Sequence, residues 1–276
     1  MKFLLTGYPL GHSMSPFIHS ELFKLSGVDA TYSKLEIAPE NLNRETFCNI
    51  DGFNVTIPHK IAIIDHLDKI EGIAAKMKTV NTVKIENGIF TGYNTDYDGM
   101  MYSLNQSGIA LSGNVLLCGC GGVAKMMAHA AINNNCTVTV CAMDMKMAND
   151  FKAYFDAEYG IDMKVISQDA QTDNEYDLLI NGTPAGMYPK FINDLPANEK
   201  LIKNCKNVFD AVYNPKDTAL TKFAIANGAK VAYGMPMLVF QAAAAHTIWY
   251  GAKFNDEDIA RLIVDANEVM KKEFSK

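Results

Sequence analysis

The segment that most constrains the fold runs from Asn114 to Asn133. An apolar stretch, Asn114–Cys118, reads as a buried strand, Gly119-Cys120-Gly121-Gly122 follows at once, and Val123–Asn133 has the texture of a helix. A strand, a glycine turn and a helix in direct succession open a βαβ unit. Without side chains in the turn, backbone N–H groups at the helix N-terminus can face an anion closely. The spacing is Gly-x-Gly-Gly-x-Ala, with Ala124 as the third small residue that lets helix and strand pack. Gly119, Gly121, Gly122, Val123 and Ala124 therefore form either a pyrophosphate cradle or a plain tight turn. The chain that follows favours the cradle. Strand candidates at Thr137–Ala142, Met163–Ile166, Tyr176–Asn181, Asn207–Val212 and Lys230–Tyr233 alternate with helical stretches, the rhythm of a doubly wound parallel sheet.

The first hundred residues differ. Lys2–Tyr8, Tyr32–Ile37 and Gly52–Thr56 read as strands. Ser15-Pro16 supplies an N-cap and an N1 proline for a helix that Gly27 stops. Thr79–Ile85 and Ile89–Tyr93 flank Asn87-Gly88, a two-residue hairpin signal, so antiparallel pairing is expected within an otherwise α/β pattern. A helical stretch, Tyr97–Gly108, leads into the glycine-loop half, and Met235–Phe274 is helical and apolar enough to be buried. The expectation is a two-domain α/β protein. Its first domain, with a mixed sheet, spans residues 1–103 and is completed by C-terminal helices 236–276. The Rossmann-like second domain spans residues 104–235.

Charge and cysteine usage narrow the partners. The formal net charge is −6 and no basic stretch is present, which argues against nucleic acid or an anionic membrane surface. No apolar run approaches the roughly 20 residues of a membrane span. The N-terminal apolar run is too short for a signal peptide, so a cytoplasmic location is expected. The six cysteines form no paired C-x-x-C pattern and read as reduced thiols, with no metal site implied.

Choice of dinucleotide depends on the end of the strand after the glycine loop, where an acidic residue suits the ribose of NAD and an Arg suits the 2′-phosphate of NADP. That segment reads Val140-Cys141-Ala142-Met143-Asp144-Met145-Lys146. It has no Arg, and Asp144 stands near the acidic position, unless it is only a helix N-cap. Lys125 and Lys146 are the nearby cations, so both NADP and NAD stay open.

Polar clusters in the first domain are hard to explain as packing. Ser13 and Ser15 flank one residue before a helix, where one of them would serve as a cap. Asn54, Thr56 and Lys60 fall within Asn54-Val55-Thr56-Ile57-Pro58-His59-Lys60. Asn81 is a poor β-former inside a β-rich run, usually tolerated for the sake of a hydrogen bond. Asp96, in Asn94-Thr95-Asp96, opens a helix and is either a functional carboxylate or a cap.

Together these segments resemble the shikimate dehydrogenase family. The resemblance rests on Gly11-His12-Ser13-x-Ser15-Pro16, Asn54-Val55-Thr56-x-Pro58-x-Lys60, the Thr-Val-Asn-Thr strand through Asn81, Asn94-Thr95-Asp96 and the glycine loop. It continues through Asn181-Gly182-Thr183-Pro184, Asp210-x-Val212-Tyr213-Asn214-Pro215 and Gly234-Met235-x-Met237-Leu238-Val239-x-Gln241-Ala242, in the family's order. The resemblance implies reversible reduction of 3-dehydroshikimate to shikimate, with residues 1–103 and 236–276 binding substrate and 104–235 the dinucleotide. It implies Lys60 and Asp96 as the catalytic pair, with Ser13, Ser15, Asn54, Thr56, Asn81, Tyr213 and Gln241 on the substrate. Tyr213 would lie along the nicotinamide half with Thr183 and Gly234, and Met237 would pack near the ring. The family's NADP-type members carry Asn-Arg-Thr where this chain has Ala142-Met143-Asp144, a departure that keeps NAD open. Quinate-using relatives often have Thr at the second serine of the pair, so Ser15 favours shikimate. A NAD-dependent quinate/shikimate dehydrogenase and a non-catalytic dinucleotide sensor are the rivals, and a monomer or homodimer the expected assembly.

Overall fold

The computed structural model describes residues 1–11 and 13–274, so His12 of the Gly-His-Ser segment lies outside the described residues. The chain divides into two compact units. One is Met1–Gly99 with Leu238–Val269, and the other is Met100–Met237 with the chain from Met270 onward.

In the first unit, β1 (Lys2–Gly7), β2 (Thr31–Glu36), β3 (Gly52–Val55), β4 (Lys69–Ile70), β5 (Thr82–Glu86) and β6 (Ile89–Tyr93) form one sheet in the order β2-β1-β3-β5-β6-β4. β1 runs parallel to β2 and β3, while β5 runs antiparallel to β3 and β6, giving the expected mixed sheet. The β5–β6 turn has Asn87 at φ 53° and Gly88 at φ 77°, both in the left-handed region that a tight two-residue hairpin demands. Helices α1 (Ser15–Ser26), α2 (His59–Ala62) and α3 (Ile73–Met77) belong to this unit. α4 (Asp96–Gln106) and, much later, α9 (Gly234–Tyr250) carry the chain between units.

Side chains alternate across the sheet as the two-residue strand period requires. Leu4, Phe53, Val55, Val83 and Phe90 share one buried cluster with Phe47 and Ile63. On the other face Phe3 packs with Phe23, Ala245 and Trp249. Trp249 stacks on Phe3 with centroids 4.3 Å apart and donates its indole N–H to Val83 O at 3.0 Å. This close approach explains Gly52, since a Cβ there would lie 2.6 Å from Trp249 Nε1 and 2.7 Å from Val83 O.

α9 is held on α1 by a buried polar chain. Ser26 Oγ donates to Leu22 O and Phe23 O at 2.9 and 3.1 Å, so it accepts from the Tyr250 hydroxyl 3.2 Å away. The Tyr250 oxygen then accepts from His246 Nδ1, and His246 Nε2 accepts from His19 Nδ1 at 2.8 Å. His19 Nε2 is left as a bare nitrogen with no partner among the described residues. Burial lowers both imidazoles, His246 to about 3, so both are neutral at pH 7.

In the second unit, β7 (Asn114–Cys118), β8 (Thr137–Ala142), β9 (Lys164–Ser167), β10 (Leu178–Asn181), β11 (Asn207–Asp210) and β12 (Lys230–Ala232) form a sheet in the order β12-β11-β10-β7-β8-β9. Every pairing is parallel. Counted along the chain this is the doubly wound order with its switch point between β7 and β10. α5 (Gly122–Asn133), α6 (Met145–Tyr159), α7 (Glu199–Lys203) and α8 (Ala219–Ala226) connect the strands. Val115, Leu116, Leu117 and Cys118 are fully buried, as a central strand covered on both faces must be.

Several local expectations are corrected. Ser15 is the first residue of α1 rather than its cap: Met14 occupies the cap position with no side-chain bond, and Ser13 Oγ accepts from the Ser15 N–H at 3.2 Å. Asn81 lies just before β5 rather than inside a strand. Tyr176 stands apart from β10, bridging to Cys205. The C-terminal helical stretch is two helices, α9 and α10 (Asp256–Phe274), with Gly251 left-handed at φ 76° between them. The six cysteines are free thiols, with Cys48 exposed, Cys120 half-buried and Cys118, Cys136, Cys141 and Cys205 buried.

A test of the packing follows from Gly52. Gly52→Ala drives a methyl into the Trp249 ring and a backbone carbonyl, so it is expected to destabilise the fold by about 1–3 kcal/mol. The measurement is the midpoint shift in urea, and an unchanged midpoint would contradict the packing.

Candidate active site

The mixed sheet gathers polar residues at one end. β1 and β3 are parallel neighbours, so the loop holding Ser13 and Ser15 and the residues after β3 leave from the same edge. Thr56 N–H bonds Thr6 O at 2.8 Å, keeping Thr56 beside the end of β1. Because β5 is antiparallel to β3 and β6, with Asn54 opposite Thr82 and Thr82 opposite Tyr93, the start of β5 and the end of β6 reach that edge too. Asn81 and the Asn94-Thr95-Asp96 turn therefore stand there.

Lys60, on α2, donates to Asp96 Oδ2 at 2.6 Å, and the two side chains are only 14% and 13% exposed. An ion pair this sheltered loses much hydration, and hydrogen bonds around it must offset that cost. Asp96 is the first residue of α4 and does not cap it. Asn94 Oδ1 accepts from the N–H groups of Asp96 and Tyr97 at 3.1 and 3.4 Å, while Asn94 Nδ2 donates to Thr79 O and Oγ1. With Asn94 as cap, the Asp96 carboxylate is available to Lys60.

Asn81 is the hub beside this pair. Its Oδ1 accepts from Thr95 N–H at 2.7 Å and Thr82 Oγ1 at 3.1 Å. Its Nδ2 donates to Thr95 Oγ1 at 3.0 Å and Gln241 Oε1 at 3.4 Å. Asn54 joins through Nδ2, which donates to Thr82 Oγ1 at 3.0 Å and Asn81 O at 3.3 Å, and its Oδ1 accepts from the Tyr32 hydroxyl at 2.7 Å. Lys60, Asp96, Asn54, Asn81 and Gln241 are thus linked directly or through neighbours in sequence. Ser13, Ser15 and Thr56 share the edge without a side-chain bond to that network among the described residues. Thr82, Thr95, Asn94 and Tyr32 are the members that sequence reasoning passed over. A hydroxyl carries no signal of its own in the sequence, so nothing there marked Tyr32, Thr82 or Thr95.

The second unit has its own polar end at the switch point. Gly119 takes φ 102°, and a Cβ there would lie 2.8 Å from Thr183 Cγ2 and 3.3 Å from the Gly182 backbone. Gly121 is the cap residue of α5, which has no side-chain cap bond, so its first N–H groups lack a protein acceptor of that kind. A Cβ at Gly121 or Gly122 meets nothing within 4 Å, leaving this backbone open to a ligand. Val123 is half-buried and Ala124 fully buried, the latter against Gly182. Thr183 donates to Asn181 Oδ1 at 2.6 Å, and Asn181 Nδ2 donates to Asp210 Oδ1 at 2.9 Å. Gly234 is forced by space, since a Cβ would lie 2.5 Å from Ala211 O. Met237 is buried, and burial raises the half-buried Tyr213 phenol. Asp144 is exposed and caps α6, with Oδ1 accepting from Lys146 N–H and Met147 N–H at 2.9 and 3.0 Å.

Among the described residues no group of three or more His, Cys, Asp or Glu could hold a metal, and no helix is long and apolar enough to cross a membrane.

A mixed-sheet unit with a sheltered lysine–aspartate pair, together with a doubly wound unit, defines a two-domain α/β protein with a Rossmann-like half. Comparison with known proteins narrows this. The family profile described as shikimate dehydrogenase substrate binding domain matches residues 5–83. The shikimate dehydrogenase (NADP(+)) of Shouchella clausii is 38% identical over 269 residues, covering 95% of this chain and 97% of that protein. The crystal structure of a chorismate mutase/shikimate 5-dehydrogenase fusion protein from Clostridium acetobutylicum matches with TM-score 0.88 and 30% identity, covering 99% of this chain and 98% of that one. Shikimate 5-dehydrogenase from Thermus thermophilus, in complex with NADP(H) and shikimate, matches with TM-score 0.83 and 28% identity over 96% of this chain and 99% of that one. The chain belongs to the shikimate dehydrogenase family of oxidoreductases.

Asp210 offers a check on the second unit. Burial pushes its carboxyl up to about 6, against the opposing bonds from Thr218, Val212 N–H and Asn181. A folded-state value above the unfolded one means that stability is greatest below about pH 4 and falls as pH rises toward 6, by up to roughly 3 kcal/mol. Asp210→Asn should flatten that part of the pH–stability curve relative to wild type in urea titrations. Parallel curves for the two proteins would contradict the burial of a protonated carboxyl.

Proposed function

We propose that the protein catalyses the reversible reduction of 3-dehydroshikimate to shikimate with a nicotinamide dinucleotide as hydride carrier. The observation that carries this reading is the Lys60–Asp96 pair, 2.6 Å apart and sheltered, beside the Asn81 hub, in a chain of this family. Residues 1–103 with residues 236–276 would hold the substrate, and 104–235 the dinucleotide.

The dinucleotide, when bound, supplies or accepts the hydride. The open backbone at Gly121 and Gly122 and the uncapped N-terminus of α5 fit a diphosphate, with Gly119, Val123 and Ala124 shaping the turn. Thr183, Gly234 and Met237 would line its nicotinamide half, with Tyr213 assigned to the substrate.

The chain's own residues would do the rest. As hydride reaches the ketone carbon, negative charge develops on the oxygen, and Lys60 donates the proton that neutralises it. Asp96 accepts one Lys60 hydrogen, which aims the ammonium and leaves its other hydrogens for the substrate. Ser13, Ser15 and Thr56 are neutral donors for the substrate carboxylate. The hydrogen-bond inventory assigns polarity to the others. Both Asn54 amide hydrogens have acceptors, so Asn54 meets the substrate through the second lone pair of Oδ1, as acceptor from a ring hydroxyl. Gln241 spends one amide hydrogen on Leu238 O at 2.9 Å and keeps one for a substrate oxygen. Asn81 has every donor and acceptor engaged and reaches a ligand only by exchanging a partner. Ser15, rather than a bulkier threonine, favours shikimate over quinate. A binding-only sensor would have no use for a matched proton donor, which supports turnover.

The test is nicotinamide absorbance with shikimate and quinate as substrates. Shikimate should turn over faster, and Lys60→Ala and Asp96→Asn should each lower kcat by about 10²–10⁴ in protein that still folds. Wild-type kcat in Lys60→Ala would refute the proton-transfer role, and no turnover of either substrate would refute the enzymatic reading.

A further inference from the structure

In a doubly wound sheet the adenosine ribose of a dinucleotide lies past the end of the second strand, beside the glycine turn. That strand is β8, which pairs with β7 up to Cys118 and Cys141 and ends at Ala142. Beyond it the chain reads Met143-Asp144-Met145-Lys146-Met147, and the three methionines are 79%, 38% and 53% exposed. Apolar side chains left in water so close together cost hydration free energy unless something covers them. An adenosine group has the flat apolar surface to do so.

The charges there are wrong for a phosphate. Asp144 gives Oδ1 to the N–H groups of Lys146 and Met147, so a carboxylate already satisfies the anion-binding end of α6. It also lies close enough to the glycine loop to act, after burial, on the Cys120 thiol, which is raised to about 11. The chain has only two arginines, Arg44 and Arg261, and both belong to the first unit. The second unit therefore offers a 2′-phosphate no guanidinium of its own. Its nearest cation in the turn of α5, Lys125, has its Nζ 3.6 Å over the Tyr154 ring. Lys146 is one exposed lysine set against Asp144 two residues away.

We propose that Met143, Asp144 and Met147 set the dinucleotide specificity of this chain, and that it binds NAD(H) in preference to NADP(H). The apolar thioethers favour the adenosine shared by both, and the Asp144 charge disfavours the extra phosphate of one. The inference rests on the proposed dinucleotide role of the glycine loop.

Calorimetric titration of the full chain with NAD+ and NADP+ separates the two claims without relying on turnover. The expected result is a Kd for NAD+ at least tenfold below that for NADP+. Met143→Arg, at a position 79% exposed and so tolerated by the fold, should tighten NADP+ about tenfold, leave NAD+ nearly unchanged and add a salt dependence to NADP+ binding alone. Asp144→Asn keeps a capping oxygen, removes the charge and should tighten NADP+ alone by several-fold. A preference for NAD+ of less than tenfold, or a preference for NADP+, overturns the specificity claim and leaves the glycine-loop reading standing. Failure of both dinucleotides to bind overturns the glycine-loop reading, and the inference falls with it.

Discussion

The first unit depends on one side chain that belongs to no strand. Asn81 ties the start of β5 to the turn after β6 and to α9, through Thr82, Thr95 and Gln241. Its donors and acceptors are all used, which is the condition under which a buried amide stabilises rather than costs. Around it a second amide, Asn94, takes over the capping of α4. That substitution of roles frees the Asp96 carboxylate for Lys60. The ion pair is thus a product of the amides behind it, and without them it would be a buried charge pair of doubtful benefit.

The two units solve the problem of holding polar groups differently. In the mixed sheet, antiparallel neighbours bring strand starts and strand ends to one edge, so side chains from distant segments meet directly. In the parallel sheet only carboxyl ends collect at the switch point, and the chain there works largely through backbone. Gly119, Gly182 and Gly234 are each forced by close neighbours, whereas Gly121 and Gly122 face open space. The first group of glycines explains the packing of the turn, and the second its accessibility.

Much of this was legible in the chain. The glycine turn after Cys118, the Asn87-Gly88 hairpin and the stop at Gly27 are conformational demands that few other residues meet, so they survive any context. What stayed open or was misread depended on competition between neighbours. Ser15, Asp96 and Asp144 are all short polar residues at helix starts. Only the tertiary structure decides that Asp144 caps, that Asn94 caps in place of Asp96, and that Ser15 has moved inside its helix. Asn81 was read as part of a strand because its neighbours are β-formers, and it stands one residue before β5 with its backbone still bonded to Tyr93 O and Val55 N–H. Thr82, Thr95 and Tyr32 were passed over because a hydroxyl has no sequence signature until its partners are known.

The chain of His19, His246, Tyr250 and Ser26 has a further meaning. Its polarity is set at one end, where Ser26 gives its hydrogen to helix carbonyls, and every later bond inherits that direction. A second proton on either imidazole would leave two donors facing each other or a charge without a counter-ion. The docking of α9 on α1 is thus written for a single protonation state, the one with both imidazoles neutral.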